Sequence, residues 1–461
     1  MAAARRAAAA AAQQAAPSIR LAVVGDVHSQ WDADSEAALL SLGADIAVFV
    51  GDFGEENVQL IKRIAALPCP KAVILGNHDA WFSLTKNGRQ RYARAMAAST
   101  TLAAQQQQAF SAGSCAASNA WARGSTPAIA AQLQALGDDH IGYSSKRFDH
   151  LGLSLLGARP FSKGGKQWSD VADFYAEHYG IRGMQDSAMR ILDVALAAPD
   201  GDVKVLVAHN GPRGLGGRRH NICGVDWTEP EADFGDPDLA EALDMLSAQG
   251  VRVPLVLFGH MHSQLKGSGL RNMVEVDPAS GTVYLNAAVV PRVRRLPLPA
   301  DGGAASGTST GGGAAAGDTI PCHHFLVVEL RHGVVAAARD AWVGVQHAGS
   351  DSSGGGAGGS RRCIIVREQE LLKTSLPPAE TLGGPEAAAA TGRALQGAAD
   401  GISSSRAAAG LAEDCGNGSS TGSYVCSIYR AHTGEWEPFV LQLPAAAAAV
   451  AAPERQLAEV S

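Results

Sequence analysis

Asp26 and His28 stand two residues apart directly after a short apolar run, and His260 and His262 repeat that spacing behind another. Between these pairs come Gly51-Asp52, Gly76-Asn77-His78-Asp79 and His209-Asn210, each closing a further apolar stretch. The set offers seven candidate metal ligands: Asp26, His28, Asp52, Asn77, His209, His260 and His262, with His78 to spare. Two carboxylates, an amide and four imidazoles suit a pair of divalent ions of the Mn, Fe, Zn or Co type. Two such ions side by side, with coordination positions left open, bind a phosphate ester and lower the pKa of a bound water. Each motif alone carries little, because an Asp-x-His triplet is nearly random and a lone histidine behind a strand is more often a satisfied polar group. Five in one order are harder to dismiss. Nine of the 14 histidines lie outside the set, so histidine abundance does not explain it.

The elements that must position these residues are legible from the apolar pattern. Leu21–Val24, Ile46–Val50, Ala72–Leu75, Val203–Val207 and Leu255–Phe258 are continuous apolar runs bounded by glycine or polar turns, the pattern of strands buried on both faces. Helical patterns over Asp34–Leu42 and Asn57–Leu67 separate the first three, and Asp236-Pro237 with Gly250 brackets another helix. This alternation predicts an α/β fold with a largely parallel sheet covered by helices. Asp52, Asn77 and His209 then sit at carboxyl ends of strands, where open α/β sheets place ligands. If the backbone stays extended past the strand, Asp26 and His28 point to one side, as do His260 and His262. Five strand ends would thus deliver seven ligands to one edge of one sheet.

Thr85–His150 breaks the rhythm with a flexible-looking stretch that includes Gln105–Gln108, then a short helix from Thr126-Pro127 to Leu136. Tyr143–Phe148 and Leu151–Leu156 read as a hairpin turning at Asp149-His150, followed by an aromatic segment, Trp168 to Tyr179, and a helix over Gly183–Ala197. Strands return at Thr282–Leu285, Phe325–Leu330 and Val334–Val343.

The patterned part of the 461 residues, 18–345, is the size of one large domain, with flexible insertions expected at about 99–125 and 300–318. Residues 346–461 are largely Gly, Ala and Ser, with strand-like islands at 361–372 and 424–443 that could add a hairpin turning at His432-Thr433-Gly434. A net charge of −7 gives no basic footprint for nucleic acid, so a phosphate substrate needs local cations. Seven cysteines without a CxxC pair read as reduced thiols, and no apolar run is long enough to span a bilayer, as in a soluble chain. Met1–Pro17 is alanine-rich with two arginines and no acid, the composition of a chloroplast transit peptide or, equally, of a disordered leader on a cytoplasmic protein.

The ordered motifs resemble the calcineurin-like metallophosphoesterase superfamily from Leu21 to about His262. The resemblance implies two packed sheets flanked by helices and a dinuclear metal centre. It assigns Asp26, His28 and His262 to one ion, Asn77, His209 and His260 to the other, and Asp52 to the bridge between them. It implies that a hydroxide shared by the ions attacks phosphorus, with His78 as the catalytic histidine. Asp79 is placed to orient that imidazole and hold it protonated through its opposite charge, or else only to cap the backbone. The protein phosphatase branch carries Gly-Asp-x-Val-Asp-Arg-Gly, whereas this chain reads Gly51-Asp52-Phe53-Gly54-Glu55-Glu56, which points to small-molecule or nucleotide phosphoesters. The stretch Ala208–Gly216 resembles an uncharacterised branch of cyanobacteria and plastid-bearing plants. Arg213 in that loop either contacts a phosphate oxygen or is a solvated loop arginine. Trp168, Phe174, Tyr175 and Tyr179 form a base-stacking wall or plain core, and Trp31 and Trp81 line the pocket mouth or pack inside. Cys322-His323-His324 lacks a second ligand pair and reads as polarity at a strand start. The alternatives to phosphoester hydrolysis are a nucleotide pyrophosphatase and a catalytically silent scaffold on the same fold.

Overall fold

The computed structural model describes residues 18–107, 127–298, 319–347, 361–375 and 423–442. The leader 1–17, most of the first expected insertion and the low-complexity stretches 300–318, 348–360 and 377–422 lie outside the described residues. In chain order the elements are β1 (Ile19–Val24), α1 (Ala33–Ser41), β2 (Ile46–Phe49), α2 (Val58–Ala65), β3 (Lys71–Val73), α3 (Lys86–Gln107) and α4 (Pro127–Leu136). Then follow β4 (Ser145–Phe148), β5 (Leu153–Gly157), α5 (Ala172–Tyr179), α6 (Met184–Ala197), β6 (Val203–Val207), α7 (Pro237–Ala248) and β7 (Leu255–Phe258). The rest is strand: β8 (Val274–Val276), β9 (Val283–Asn286), β10 (Val293–Pro297), β11 (Thr319–Arg331), β12 (Val334–His347), β13 (Arg361–Ser375), β14 (Ser423–Arg430) and β15 (Glu435–Gln442).

The strands form two mixed sheets, the two-layer arrangement that the resemblance implies, in place of the one largely parallel sheet that strand–helix alternation alone suggests. The first runs β15-β14-β13-β12-β11-β1-β2-β3, with β10 also on β11; the second runs β4-β5-β6-β7-β9-β8. Among the named strands of the described residues, parallel pairing is confined to β1–β2–β3 and β5–β6–β7–β9. Those are the segments with helical crossovers or long connections, which parallel neighbours require, while β11 to β15 pair antiparallel. The two-layer arrangement gives β1 a core on each face. Leu21 and Val23 of β1 pack with Val48, Ile74, Val205, Leu257 and Val328, a cluster built from both sheets. Their neighbours Ala22 and Val24 turn the other way, toward Leu39 of α1 and Ile61 and Ile64 of α2.

Several local expectations change. Helix α3 runs through Gln107, so residues 99–107 of the expected flexible insertion continue a helix; alanine and glutamine favour that state. The β4–β5 hairpin turns through a 3₁₀ segment, Asp149–Leu151, with Gly152 at φ +56°. Asp236 precedes Pro237 at the start of α7, but its carboxylate makes no capping bond and goes instead to Ser162 and Arg159. The C-terminal islands do extend the first sheet. Arg430 of β14 reaches across to grip both oxygens of Glu275 on β8 at 2.6 and 3.0 Å, and His432 in the β14–β15 turn stacks on His220, ring centroids 4.1 Å apart.

Bridged to the end of β3, the His140 ring leaves its buried Nε2 without a hydrogen-bond partner. Burial pushes the imidazole from 6.5 down to about 4, so the folded protein refuses a proton that the unfolded chain takes up. Stability from this site is whole above about pH 6.5 and drains as pH falls toward 4. We expect the urea midpoint of His140→Asn to fall less over that window than the wild type's; equal slopes would clear His140 of the effect.

Candidate metal centre

The motifs stand at the ends of strands from both sheets. Asp26, Asp52 and Asn77 follow β1, β2 and β3, whereas His209 and His260 follow β6 and β7. The centre therefore spans two sheets, not one edge of one sheet as the strand pattern alone suggested. Nor does the chain stay extended. Asp26, His28, Asp52 and His260 all adopt left-handed backbone, at φ +41°, +42°, +55° and +65°. Each such residue without glycine's freedom costs on the order of 1 kcal/mol, and cross-loop hydrogen bonds hold it there. The His28 amide donates to Asp52 O at 2.8 Å, the His78 amide to Asp52 Oδ1 at 2.8 Å and the His260 amide to Asp26 Oδ1 at 2.9 Å.

The result is convergence of all seven candidates. His262 Nε2 lies 3.2 Å from Asp26 Oδ2 and 3.2 Å from His28 Nε2. On the far side His209 Nε2 lies 3.0 Å from Asn77 Oδ1 and 3.3 Å from Asp52 Oδ1, and its ring meets that of His260 at 5.1 Å. Asp52 belongs to both ends: its other oxygen is 4.0 Å from His28 Nε2. The ligating atoms of Asp26, His28 and His262 lie within 4.8 Å of one another, and so do those of Asp52, His209 and His260.

This donor set fits divalent cations. Asp26 Oδ2 is buried without a hydrogen-bond partner, and two imidazole nitrogens face it and each other, an arrangement of converging lone pairs that calls for positive charge. His209 Nδ1 sits 2.7 Å from Val50 O; donating its N–H there leaves Nε2 free to ligate. Burial opposes charge on Asp26 and Asp52, yet the surrounding imidazoles hold both carboxyls below their usual range. Burial likewise opposes a proton on His209, but Asp52 carries it up to about 9, while burial and the neighbouring His209 press His260 down to about 4.

A family model described as calcineurin-like phosphoesterase matches residues 19–264, more than half of the chain. The chain belongs to the calcineurin-like phosphoesterase family. It is therefore a hydrolase of phosphate esters, in a family that typically binds divalent metals. No curated protein matches it. Among solved structures, a dimetal phosphatase from Danio rerio is 12% identical, covering 76% of this chain and 99% of that one at a TM-score of 0.34. The protein TT1561 of Thermus thermophilus is 10% identical over 61% and 94% of the two chains at 0.33. A metallophosphoesterase from Sphaerobacter thermophilus is 13% identical over 68% and 84% at 0.24.

Three expectations about the phosphoesterase are corrected by its geometry. Asp79 takes the backbone-capping alternative and does not orient His78. Its fully buried carboxylate takes the amides of Asp52 and Phe53 at 2.9 Å and of Gly76 at 2.7 Å, tying the second and third motifs together. The His78 imidazole is not held protonated either: burial, joined by His28 and His209, outweighs Asp52 and lowers it from 6.5. It stacks on Trp81 at 4.5 Å and meets the His28 ring edge-on at 4.7 Å. Arg213 is exposed and lines a separate groove with Asp244, Glu275 and Tyr284, where none of the seven candidates appears; a parallel bridge between Pro212 and Asp236 turns its loop that way.

The aromatic segment is core. Phe174 and Tyr175 are fully buried, and Tyr175 stacks on Trp168 and donates to Pro160 O at 2.7 Å. Trp31 is buried under the Arg292 guanidinium at 4.9 Å, leaving Trp81 as the tryptophan beside the centre. His323 and His324 sit within β11, bonded to Ser35 and Asp340. Sequence reasoning missed Arg271, which is 1% exposed and braces the His262 carbonyl through Nε at 3.0 Å. An isolated arginine in a polar loop carries no signal for this, since its other partners, the carbonyls of Arg219 and Asn221 and the carboxylate of Asp226, lie some 45 to 52 residues away.

The Asp79 clasp predicts its own rupture. In Asp79→Asn one end of the side chain becomes a donor facing a backbone donor, so the variant loses about 2–3 kcal/mol of stability. Urea unfolding of the metal-loaded protein reads this directly, and an unchanged midpoint would mean the clasp is idle.

Proposed function

We propose that this phosphoesterase hydrolyses a small-molecule phosphate ester, monoester or diester, at two divalent ions. Asp26, His28 and His262 would hold one ion, Asn77, His209 and His260 the other, with Asp52 between. Ions bound there would polarise the phosphoryl oxygens and lower the pKa of a water to supply the nucleophile. The observation that carries the reading is the position of Asp52, within ligating distance of donors on both sides of the centre.

The chain's own residues supply the rest. Asn77 contributes an oxygen without charge, which keeps the centre positive enough to accept a phosphate. His78, outside the ligand set, faces the same space as His28, and its neutral ring still carries one N–H to hydrogen-bond the departing oxygen. The nucleotide pyrophosphatase reading loses its support with the aromatic segment in the core. A lost ligand would support the scaffold reading, and none of the seven is displaced.

Metal analysis of the purified protein, with assays of a monoester, a diester and a pyrophosphate in Mn²⁺, tests this. Two bound ions with ester turnover are expected; two ions without turnover on any of the three would reduce the protein to a scaffold. The plastid address rests on residues 1–17 alone, and a fluorescent fusion with and without them tests it.

A further inference from the structure

Beside the centre, the loop that leads into α2 leaves a cavity of about 600 Å³. His28 and His78 form its inner wall, which places the cavity directly beside the centre. Its outer wall is Ser29, Glu55, Glu56, Asn57 and the residues beside them, and among the described lining residues there is no lysine or arginine. The lining thus carries two carboxylates and neither lysine nor arginine. The buried Glu56 is committed to the fold, accepting the amides of Phe82 and Ser83 at 2.8 Å. Glu55 is exposed and carries the charge that a ligand would meet.

We propose that this cavity receives the alcohol half of the substrate and selects alcohols bearing positive charge over neutral ones, and neutral over anionic. The inference rests on the hydrolase reading above and adds the chemical class of the leaving group. An anionic substituent there would lose hydration and meet the exposed Glu55 with no lysine or arginine in the lining to offset it, which costs more than it gains. A cationic one meets Glu55 at partly solvated range, where a single charge pair contributes about a three- to tenfold preference. Ser29 and Asn57 leave the wall polar enough for hydroxylated alcohols as well.

The test uses the full chain loaded with Mn²⁺ and matched esters. Phosphocholine is compared with its carbon isostere, in which carbon replaces the quaternary nitrogen, and glycerol phosphate with phosphoglycerate, in which a carboxylate replaces a hydroxymethyl group. We expect the first member of each pair to have about fivefold higher kcat/KM, and Glu55→Lys to bring both ratios to about one or below. Equal values within each pair, or ratios that Glu55→Lys leaves unchanged, overturn the inference. Should no ester turn over, calorimetric binding of the same pairs decides it. A preference that Glu55→Lys erases would then keep the cavity assignment while the hydrolase reading falls, and equal affinities would end both.

Discussion

Asp52→Asn abolishes hydrolysis, by about 10³-fold or more, and strips the centre of metal in the same step. The substitution keeps the side chain's shape, so the amide of His78, which bonds Asp52 Oδ1 at 2.8 Å, retains its acceptor and the motif keeps its place. What disappears is the charge and the second oxygen. That oxygen faces His28 Nε2 at 4.0 Å, and in the variant an NH₂ group points there, a donor where a ligand is needed. His209 also loses the carboxylate that draws its Nε2 to within 3.3 Å. Metal content by mass spectrometry and kcat/KM on any accepted ester should fall together while the far-ultraviolet circular dichroism stays native. A variant that keeps both ions and normal turnover removes Asp52 from the bridge and with it the dinuclear reading.

Gly76→Ala does comparable damage by steric means. A methyl group on Gly76 would overlap the Asp52 carboxylate and the His209 ring, and would stand 2.6 Å from the Asp52 backbone nitrogen. Side chains can swing aside, but Asp52's backbone is pinned by the Asp79 clasp, so relief must come from the strand ends themselves. Overpacking of this kind costs about 1–3 kcal/mol, and the displaced groups are two candidate ligands of one ion. The expected result is a lowered melting temperature, weakened metal uptake and activity near background. Gly137→Ala provides the contrast. Its φ of +50° imposes a backbone penalty of its own, but nothing stands within 4 Å of the added carbon. That variant should lose some stability and keep its metal; if the two behave alike, general destabilisation and not collision at the centre explains Gly76.

How much of this could be read from the residues depends on how local each cause is. The ligand set was legible because each motif closes an apolar run, and burial of the run places its end at the sheet rim. The manner of convergence was not. Left-handed conformations at Asp26, His28 and His260 replace the extended path, and they are stabilised by partners such as the Asp26–His260 bond between residues 234 apart. Asp79 shows the same limit. Its place beside His78 suggests a pair, but the amides that claim it belong to Asp52 and Phe53, more than two dozen residues earlier. The aromatic segment could not be assigned because helical spacing of Phe174 and Tyr175 suits a core and a wall equally. The strand pattern could not show the division into two sheets, which only the motif resemblance implied: a buried strand looks alike whichever layer it joins.

The closing strands carry an implication for engineering. Ser375 at the end of β13 pairs with Val425 near the start of β14, so the 47 intervening residues, 376–422, depart from and return to nearly the same point. No span has to be bridged, and the entropy of closing such an excursion grows only as the logarithm of its length. Deletions and cargo of many sizes at this junction should thus leave the catalytic end untouched. The grip of Arg430 on Glu275 would keep the last hairpin seated whatever is spliced in before it.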